Sequence, residues 1–308
     1  MLKVAIIGSS GFIGRNLIQR LKSETEVELF LFGKSEVSKN GNEFPYKKID
    51  FFNKADLEQN FSNIDVVYYL ASETIPASSW HNPLIEVEKN LIPFINLLEV
   101  ISKLDVKKIA FISSAGTVYG PTSGKVTEDS DKRPFSPYGI MKLTMESFLN
   151  YYKAKCGLEY DVYRVSNVYG EGQNIGKGLG IINTFLEKII EVNQVDIYGD
   201  GSNTRNYIYV KDVAELLTLS VRNTTESGVY NISSNTTVSI NALVKVIKKI
   251  VSEDFTVKYL EGRQSDTSFI DLDNSRIIGR FPSFKFTSLE QGIKETYLAL
   301  KQAKSKNL

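Results

Sequence analysis

The chain has almost none of the residues on which several large classes of protein depend. It holds one cysteine, Cys156, and one histidine, His81, in 308 residues. A lone thiol excludes an intrachain disulfide framework. A lone imidazole leaves almost no material for a structural zinc site or a Ser-His-Asp triad, so no metal is expected. Excess charge is lacking as well: 37 Lys and Arg against 36 Asp and Glu leave a net charge of +1. No bulk field therefore favours nucleic acid or an anionic membrane, and any bound anion must be held by local groups. No apolar run approaches the roughly 18 residues of a membrane span. The apolar stretch Val4–Ile7 is too short for a signal-peptide core. These absences predict a cytoplasmic protein. What is present is ordinary for a globular chain, 42% apolar and 24% charged, and long enough for one or two domains.

Short β-branched runs alternate with helical stretches. "KVAIIG", "VELFLFG", "DVVYYLAS", "KKIAFISS" and "YDVYRVSNVYG" read as strands. "GRNLIQRLKSE", "NLIPFINLLEVISKL" and "YGIMKLTMESFLNYYKAK" read as helices, the first with Leu17, Ile18 and Leu21 on one face. That alternation predicts an α/β fold, a doubly wound parallel sheet with helices on both faces. Internal repeats, low-complexity segments and Pro-rich linkers are missing. The regularity weakens after about Gly170, where Gly- and Asn-rich loops begin. Residues 1–170 are expected to form a dinucleotide-binding domain, with segments near 205–235 packing back onto it. Residues 171–308 are expected to form a smaller α/β region.

In "AIIGSSGFIGRNL", Gly8, Gly11 and Gly14 lie between the first strand and the first helix. In such a turn the first glycine permits the tight bend. The next lets backbone approach a phosphate, and the last lets helix and strand pack closely. The helix N-terminus supplies free N–H groups for a pyrophosphate. Tyr138 and Lys142 lie four residues apart in "SPYGIMK", on one face of a helix. A nearby ammonium favours phenolate and lowers the tyrosine pKa from about 10. Tyr138 can then exchange a proton with a hydroxyl or carbonyl oxygen. The spacing alone is poor evidence, since Tyr151/Lys155, Tyr207/Lys211 and Tyr297/Lys301 share it.

The G-x-x-G-x-x-G spacing, followed by "YYLAS", "FISSAGTVYG" and "SPYGIMK", resembles the extended short-chain dehydrogenase/reductase family. Within it, the closest look is to nucleotide-sugar epimerases, dehydratases and ketoreductases. The resemblance covers nearly the whole chain and implies a Rossmann-like fold whose C-terminal region binds substrate. It implies Tyr138 and Lys142 as the catalytic pair. It also implies a cofactor site of Gly8, Gly11, Phe12, Ile13, Gly14, Leu70, Ala71, Tyr138 and Lys142, with Asp50 and Phe51 of "KKIDFFN" beside the adenine.

The second strand ends Leu31-Phe32-Gly33-Lys34-Ser35. An acidic residue there would hold the adenosine ribose and repel a 2′-phosphate. Gly33 leaves space, Lys34 brings positive charge and Ser35 can donate to phosphate. That ending favours NADP, with NAD as the alternative; Lys34 could equally be a solvated surface lysine, and Glu36 blunts the argument. In "SSAGTVYG" the family usually places a catalytic Ser or Thr where this chain has Ala115. Thr117 or Ser114 must substitute, Thr117 being the better placed, or Tyr138 acts with less help. The Asp-Glu pair of the dehydratases is replaced by Gly116 and Thr117, which argues against a 4,6-dehydratase.

The resemblance assigns Asn167 of "RVSNVYG" and Arg205 of "GDGSNTRNYIYVKD" to a substrate diphosphate, although Asn206 replaces the usual aspartate. Arg263 and Asp266 of "EGRQSD" join them, and Val195–Tyr198 border the nucleoside base, with Tyr198 in contact. Two arginines could clamp one pyrophosphate, since guanidinium suits bidentate oxyanion contacts. His81 reads as a loop residue. The expected function is an oxidoreductase acting at C4 of a UDP-, dTDP- or GDP-linked hexose, serving nucleotide-sugar and polysaccharide biosynthesis. A 4-ketoreductase, or the 4-dehydrogenase in reverse, is preferred on the Gly33-Lys34-Ser35 ending. A NAD-dependent 4-epimerase is the alternative, and a catalytically dead NADP-sensing partner protein a third. The resemblance also implies a homodimer through a four-helix interface.

Overall fold

The computed structural model describes residues 1–35, 44–122, 124–174, 180–234, 236–262 and 271–305. Seven strands form the main sheet: β1 (Leu2–Ile7), β2 (Val27–Gly33), β3 (Tyr46–Lys48), β4 (Val66–Tyr69), β5 (Lys108–Ser114), β6 (Glu159–Val165) and β7 (Gly228–Ile232). Their order is β7-β6-β5-β4-β1-β2-β3. The pairs β1–β2, β1–β4, β2–β3, β4–β5 and β5–β6 are parallel. The doubly wound parallel sheet expected from the sequence is therefore observed. Parallel strands covered on both faces need apolar residues throughout. Val4, Ala5, Ile6 and Ile7 meet that need, each at most 1% exposed. Strand β1 has β4 on one side and β2 on the other, so the winding reverses there. Ligands of such sheets bind at the carboxyl ends of the strands beside that reversal.

The helices of this unit are α1 (Phe12–Leu21), α2 (Lys54–Phe61), α3 (Pro76–His81), α4 (Leu84–Glu86), α5 (Ile92–Ile101), α6 (Ala115–Val118) and α7 (Pro137–Cys156), with a π-helical turn over Val87–Leu91. Phe94, Leu97 and Leu98 of α5 and Met141, Met145 and Leu149 of α7 cover one face, against Val67, Tyr69 and Phe111. The rings of Tyr69 and Phe94 meet edge to face at 4.8 Å, a geometry that adds to their burial. The other face takes Leu17, Ile18 and Leu21 of α1 and residues 214–220, where Tyr68 donates to the Leu217 carbonyl at 2.6 Å. Between β5 and β6 lies a buried ion pair, Lys108 to Asp161 at 2.8 Å.

Two sequence readings differ from the structure for identifiable reasons. "NLIPFINLLEVISKL" was expected to be one helix, but α5 is preceded by the wide turn Val87–Leu91. Pro93 has no N–H to give the carbonyl four residues back, and a π turn absorbs that gap. "YDVYRVSNVYG" is two strands rather than one. Strand β6 ends at Val165, the partner of Ser114, and Asn167–Tyr169 joins a different sheet.

The chain divides into two compact units: residues 1–120, 131–165 and 214–230, and residues 121–130, 166–213 and 231–308. In the second, Thr204–Tyr209 runs parallel to Asn167–Tyr169 and antiparallel to Thr237–Ser239. Gln194–Tyr198 pairs with Thr256–Leu260. The helix Leu289–Ser305 packs on Ile181–Val192 and Ile240–Ile250. No helix among the described residues is long and apolar enough to cross a membrane.

Candidate active site

Gly8 follows β1 with φ +87°, a conformation other residues rarely adopt. A side-chain carbon there would lie 2.8 Å from the Ala71 nitrogen, and one on Gly14 would lie 2.4 Å from the Gly8 carbonyl oxygen. Leu70 and Ala71 thus form one wall of the turn through their backbone. Gly11 is the N-cap of α1 and supplies no capping side chain, and the first turn carries no acid. The N–H groups that open α1, with Phe12 and Ile13 half-buried in it, are left to an anion. The turn fits the pyrophosphate of a dinucleotide: a Cβ at Gly8 or Gly14 would collide with the backbone that shapes it.

The end of β2 does not carry the weight placed on it for NADP. Gly33 is accounted for by Tyr46, whose hydroxyl would lie 2.7 Å from an added Cβ. Ser35 bonds that same hydroxyl at 2.8 Å. Lys34 pairs with Glu73 at 3.1 Å. Ser35 and Lys34 thus have internal partners, and Glu73 brings a negative charge beside the lysine. Asp50 is an exposed turn residue whose Oδ1 accepts from the Phe52 N–H at 2.9 Å. Phe51 is core, its ring 6.5 Å from that of Tyr69.

Ser136 caps α7 by accepting from the Gly139 N–H at 3.1 Å, and Pro137 fills the first helical position. Tyr138 and Lys142 follow on one face. Gly139 admits a close crossing: a Cβ there would lie 2.5 Å from the Thr117 carbonyl oxygen. Lys142 is 4% exposed. Its Nζ donates to the Ile112 carbonyl at 2.9 Å and lies 5.6 Å from the centre of the Tyr138 ring. Burial lowers the Lys142 ammonium to about 8, opposed by the charges of Glu86 and Glu146. Tyr138 is pushed up to about 12, first by desolvation, with Glu86 adding and a hydrogen bond from Ser72 opposing. Burial is the largest cause of that rise, so the lowering by Lys142 expected from the sequence is not what the structure shows.

Behind Lys142, Glu146 accepts from Ser113 at 2.5 Å and pairs with Arg164 at 2.6 Å. Arg164 also donates to Tyr119 at 2.8 Å. Ala115 is fully buried. Ser114, at the end of β5, makes no capping bond to α6. Thr117 turns its hydroxyl toward the Ser114 carbonyl at 3.4 Å.

In the second unit, Asn167 donates to the Asn206 carbonyl at 2.9 Å. Arg205 is half-buried, bonds the Thr204 carbonyl at 2.8 Å and has no carboxylate partner among the described residues. Asn206 explains its departure from aspartate. Its Nδ2 donates to Thr237 Oγ1 at 2.9 Å while its Oδ1 accepts from the Leu272 N–H at 2.9 Å, and only an amide does both. Val195 and Ile197 are buried, so along this strand Gln194, Asp196 and Tyr198 are the accessible residues. Arg263 and Asp266 lie outside the described residues. His81 and Cys156 are exposed, and no cluster of metal-ligating side chains exists among the described residues.

Four residues around the Tyr138–Lys142 pair carry no sequence signal: Ser72 and Glu86, which act on Tyr138, Asn90, which bonds Glu86, and Glu146, which acts on Lys142. Serine at a strand end, or Glu and Asn four apart, is too common to single out.

A glycine-built pyrophosphate turn and a tyrosine–lysine pair in one parallel-sheet unit define a dinucleotide-dependent oxidoreductase fold. The pattern of the NAD dependent epimerase/dehydratase family matches residues 4–233, and the chain belongs to that family. A Methanocaldococcus jannaschii protein assigned as a UDP-glucose 4-epimerase is 31% identical over 302 residues, covering 94% of this chain and 96% of its own. The Escherichia coli dTDP-4-dehydro-6-deoxyglucose reductase is 27% identical, covering 94% and 95%. The structure of Thermotoga maritima UDP-glucose 4-epimerase with UDP-glucose superposes with a TM-score of 0.90 at 28% identity, covering 98% and 99%. That of Thermus thermophilus UDP-glucose 4-epimerase with NAD gives 0.87 at 25% identity, covering 98% and 100%.

Proposed function

We propose that the protein is a NAD-dependent 4-epimerase of a UDP-linked hexose. The observation that carries this reading is the Tyr138–Lys142 pair on α7, in the same unit as the Gly8–Gly14 turn. NAD, when bound, would supply reversible hydride transfer at C4 of the sugar, with no net redox change once the hydride is returned to the opposite face. Tyr138, ionised where the positive charges of Lys142 and of an oxidised nicotinamide would favour the phenolate, would take the proton of the C4 hydroxyl and give it back to the carbonyl oxygen. Lys142, held by Ile112, supplies positive charge beside the phenolate. Thr117, with Ser114 as the alternative, holds the reacting oxygen in place of the side chain absent at Ala115. Arg205 and Asn167 bind the diphosphate and Tyr198 the base.

The sequence preference for a NADP-dependent 4-ketoreductase loses its support at Lys34 and Ser35, whose partners are Glu73 and Tyr46. The likeness to the Escherichia coli reductase keeps that reaction as the second reading. The two separate on cofactor balance: epimerisation needs no added reductant, whereas a ketoreductase consumes one NADPH per sugar. A homodimer is supported by Ile140 and Tyr151, exposed on one face of α7, and by Ile92 on α5. Copurified dinucleotide tests the reading, bound NAD supporting it and an empty site that fills only with NADPH opposing it.

A further inference from the structure

The turn Ala115–Val118, which carries Thr117, is too weak to hold its own shape. It is a single helical turn of four residues, Ser114 gives it no capping bond, and Gly116 stands inside it. A helix that short is not stable alone, and glycine weakens it further. A Cβ on Gly116 would meet no atom of the described residues within 4 Å, so nothing steadies the turn at that point. Thr117 Oγ1 lies 3.4 Å from the Ser114 carbonyl oxygen, long for a hydrogen bond. Ala115 and Val118 are buried, but apolar burial is non-directional and does not set the rotation of the turn.

Both ends of that turn are fastened to one buried ion pair. Before it, Ser113 Oγ donates to Glu146 Oε1 at 2.5 Å. After it, the Tyr119 hydroxyl accepts from Arg164 Nη1 at 2.8 Å, with the guanidinium 5.0 Å from the centre of the Tyr119 ring. Arg164 closes the link to Glu146 through Nη2 at 2.6 Å and Nε at 3.2 Å. Glu146 follows Lys142 by one helical turn, and Lys142 bonds the Ile112 carbonyl, so α7 grips two successive residues of β5. The turn also leans on α7 at Gly139, the residue after Tyr138. All these residues belong to the first compact unit. Glu146 is 7% exposed and Arg164 3%. Burying two charges is expensive, and apolar residues of the same volume often give equal or greater stability. What apolar residues cannot give is a set of directional bonds joining β5, the end of the turn, α7 and β6.

Resting on the epimerase reading, we propose that Glu146 and Arg164 are positioning residues of the reaction. Through Ser113 and Tyr119 they fix the rotation of the Ala115–Val118 turn against α7. The hydroxyl that holds the reacting oxygen, on Thr117 or its alternative Ser114, is thereby set relative to Tyr138 and Lys142. The pair acts through the turn and not on the sugar.

The test loosens one end of the turn at a time. Tyr119→Phe keeps the ring and the ion pair and removes one hydroxyl, and Ser113→Ala frees the other end. In NAD-loaded protein with UDP-glucose, each should slow single-turnover hydride transfer by about five- to thirtyfold, less than the roughly hundredfold of a full 1 Å misplacement. KM for UDP-glucose should not change. In a Thr117→Val background both losses should shrink to about twofold or less, because a hydroxyl already removed cannot be misplaced. If Ser114→Ala, and not Thr117→Val, slows the wild type, it serves as that background. Losses that multiply across the two changes mark a structural role and overturn the proposal, as do unchanged rates or a wild type indifferent to both hydroxyls. A second arm needs neither sugar nor cofactor. The carbon NMR signal of the Thr117 methyl, assigned by Thr117→Val, should split or broaden in Ser113→Ala, which alters no aromatic ring. An unchanged signal also overturns the proposal. If the wild type does not react with UDP-glucose, the epimerase reading fails by itself, and the NMR arm decides on Glu146 and Arg164.

Discussion

Lys142 Nζ is bound to the carbonyl oxygen of Ile112 at 2.9 Å, beneath the end of β5. That bond holds an ammonium in a buried site, where its pKa falls from 10.5 to about 8. A depressed lysine binds fewer protons folded than unfolded between those two values, so stability rises as pH rises through that window. Below pH 8 the site carries the full cost of a buried charge, about 3 kcal/mol at 1.36 kcal/mol per unit.

Lys142→Met removes that cost together with one hydrogen bond worth about 1 kcal/mol. In cofactor-free protein it should raise the unfolding free energy by about 2 kcal/mol at pH 7. The gain should vanish above pH 10.5, where the amine is neutral in both states. Urea melts at several pH values measure this, and a difference that does not change with pH would remove burial as its cause. Turnover should be lost in the same variant.

The Glu146 carboxylate joins Ser113 and Arg164 in a buried cluster. Glu146→Gln leaves the Arg164 guanidinium without its counter-charge. Breaking such a pair typically costs about 3–5 kcal/mol. Thermal unfolding should show a large drop in Tm, and a drop of only a degree or two would mean that Tyr119 and water suffice for Arg164.

Lys34 and Glu73 form a half-exposed pair, and pairs of that kind are worth about 0–1 kcal/mol. Lys34→Ala should therefore leave NAD affinity nearly unchanged. Glu73→Gln should improve NADP binding more than NAD binding, by removing a negative charge from beside Lys34. Calorimetric titration of both cofactors decides. Tighter binding of NADP than of NAD by the wild type would restore the NADP reading.

Thr117 and Ser114 divide on geometry. Phe111 and Ser113 face α7, so Ser114 points to the other side of β5. Thr117 packs on Gly139, the residue after Tyr138. Thr117→Val should lower single-turnover hydride transfer by about tenfold to a thousandfold, the range for one lost hydrogen bond to a developing oxyanion. Ser114→Ala should do less. A dead Ser114→Ala with a normal Thr117→Val would exchange their roles.

The parallel sheet and the glycine turn were legible in the sequence because both follow from local patterns. Val4–Ile7 is apolar on both faces, and Gly8 and Gly14 stand where backbone approaches backbone. The Tyr138–Lys142 pair was legible from its setting after "FISS". The environment of the β2 end is not legible in the sequence, because Lys34 meets Glu73, 39 residues away in the chain, and Ser35 meets Tyr46. The same holds for the direction of the Tyr138 shift. It depends on burial and on Ser72 and Glu86, which the fold brings together from separate loops.

The most direct measurement of the central claim is proton NMR of UDP-glucose incubated with the purified protein and no added dinucleotide or reductant. UDP-galactose should accumulate to a constant ratio, with the bound NAD unconsumed. Tyr138→Phe, which keeps the ring and removes the proton carrier, should slow the reaction by about a hundredfold to ten-thousandfold while still binding NAD. The contrary result is no change at C4 of UDP-glucose, together with stoichiometric oxidation of NADPH when a 4-keto sugar nucleotide is supplied. That would make the protein a ketoreductase.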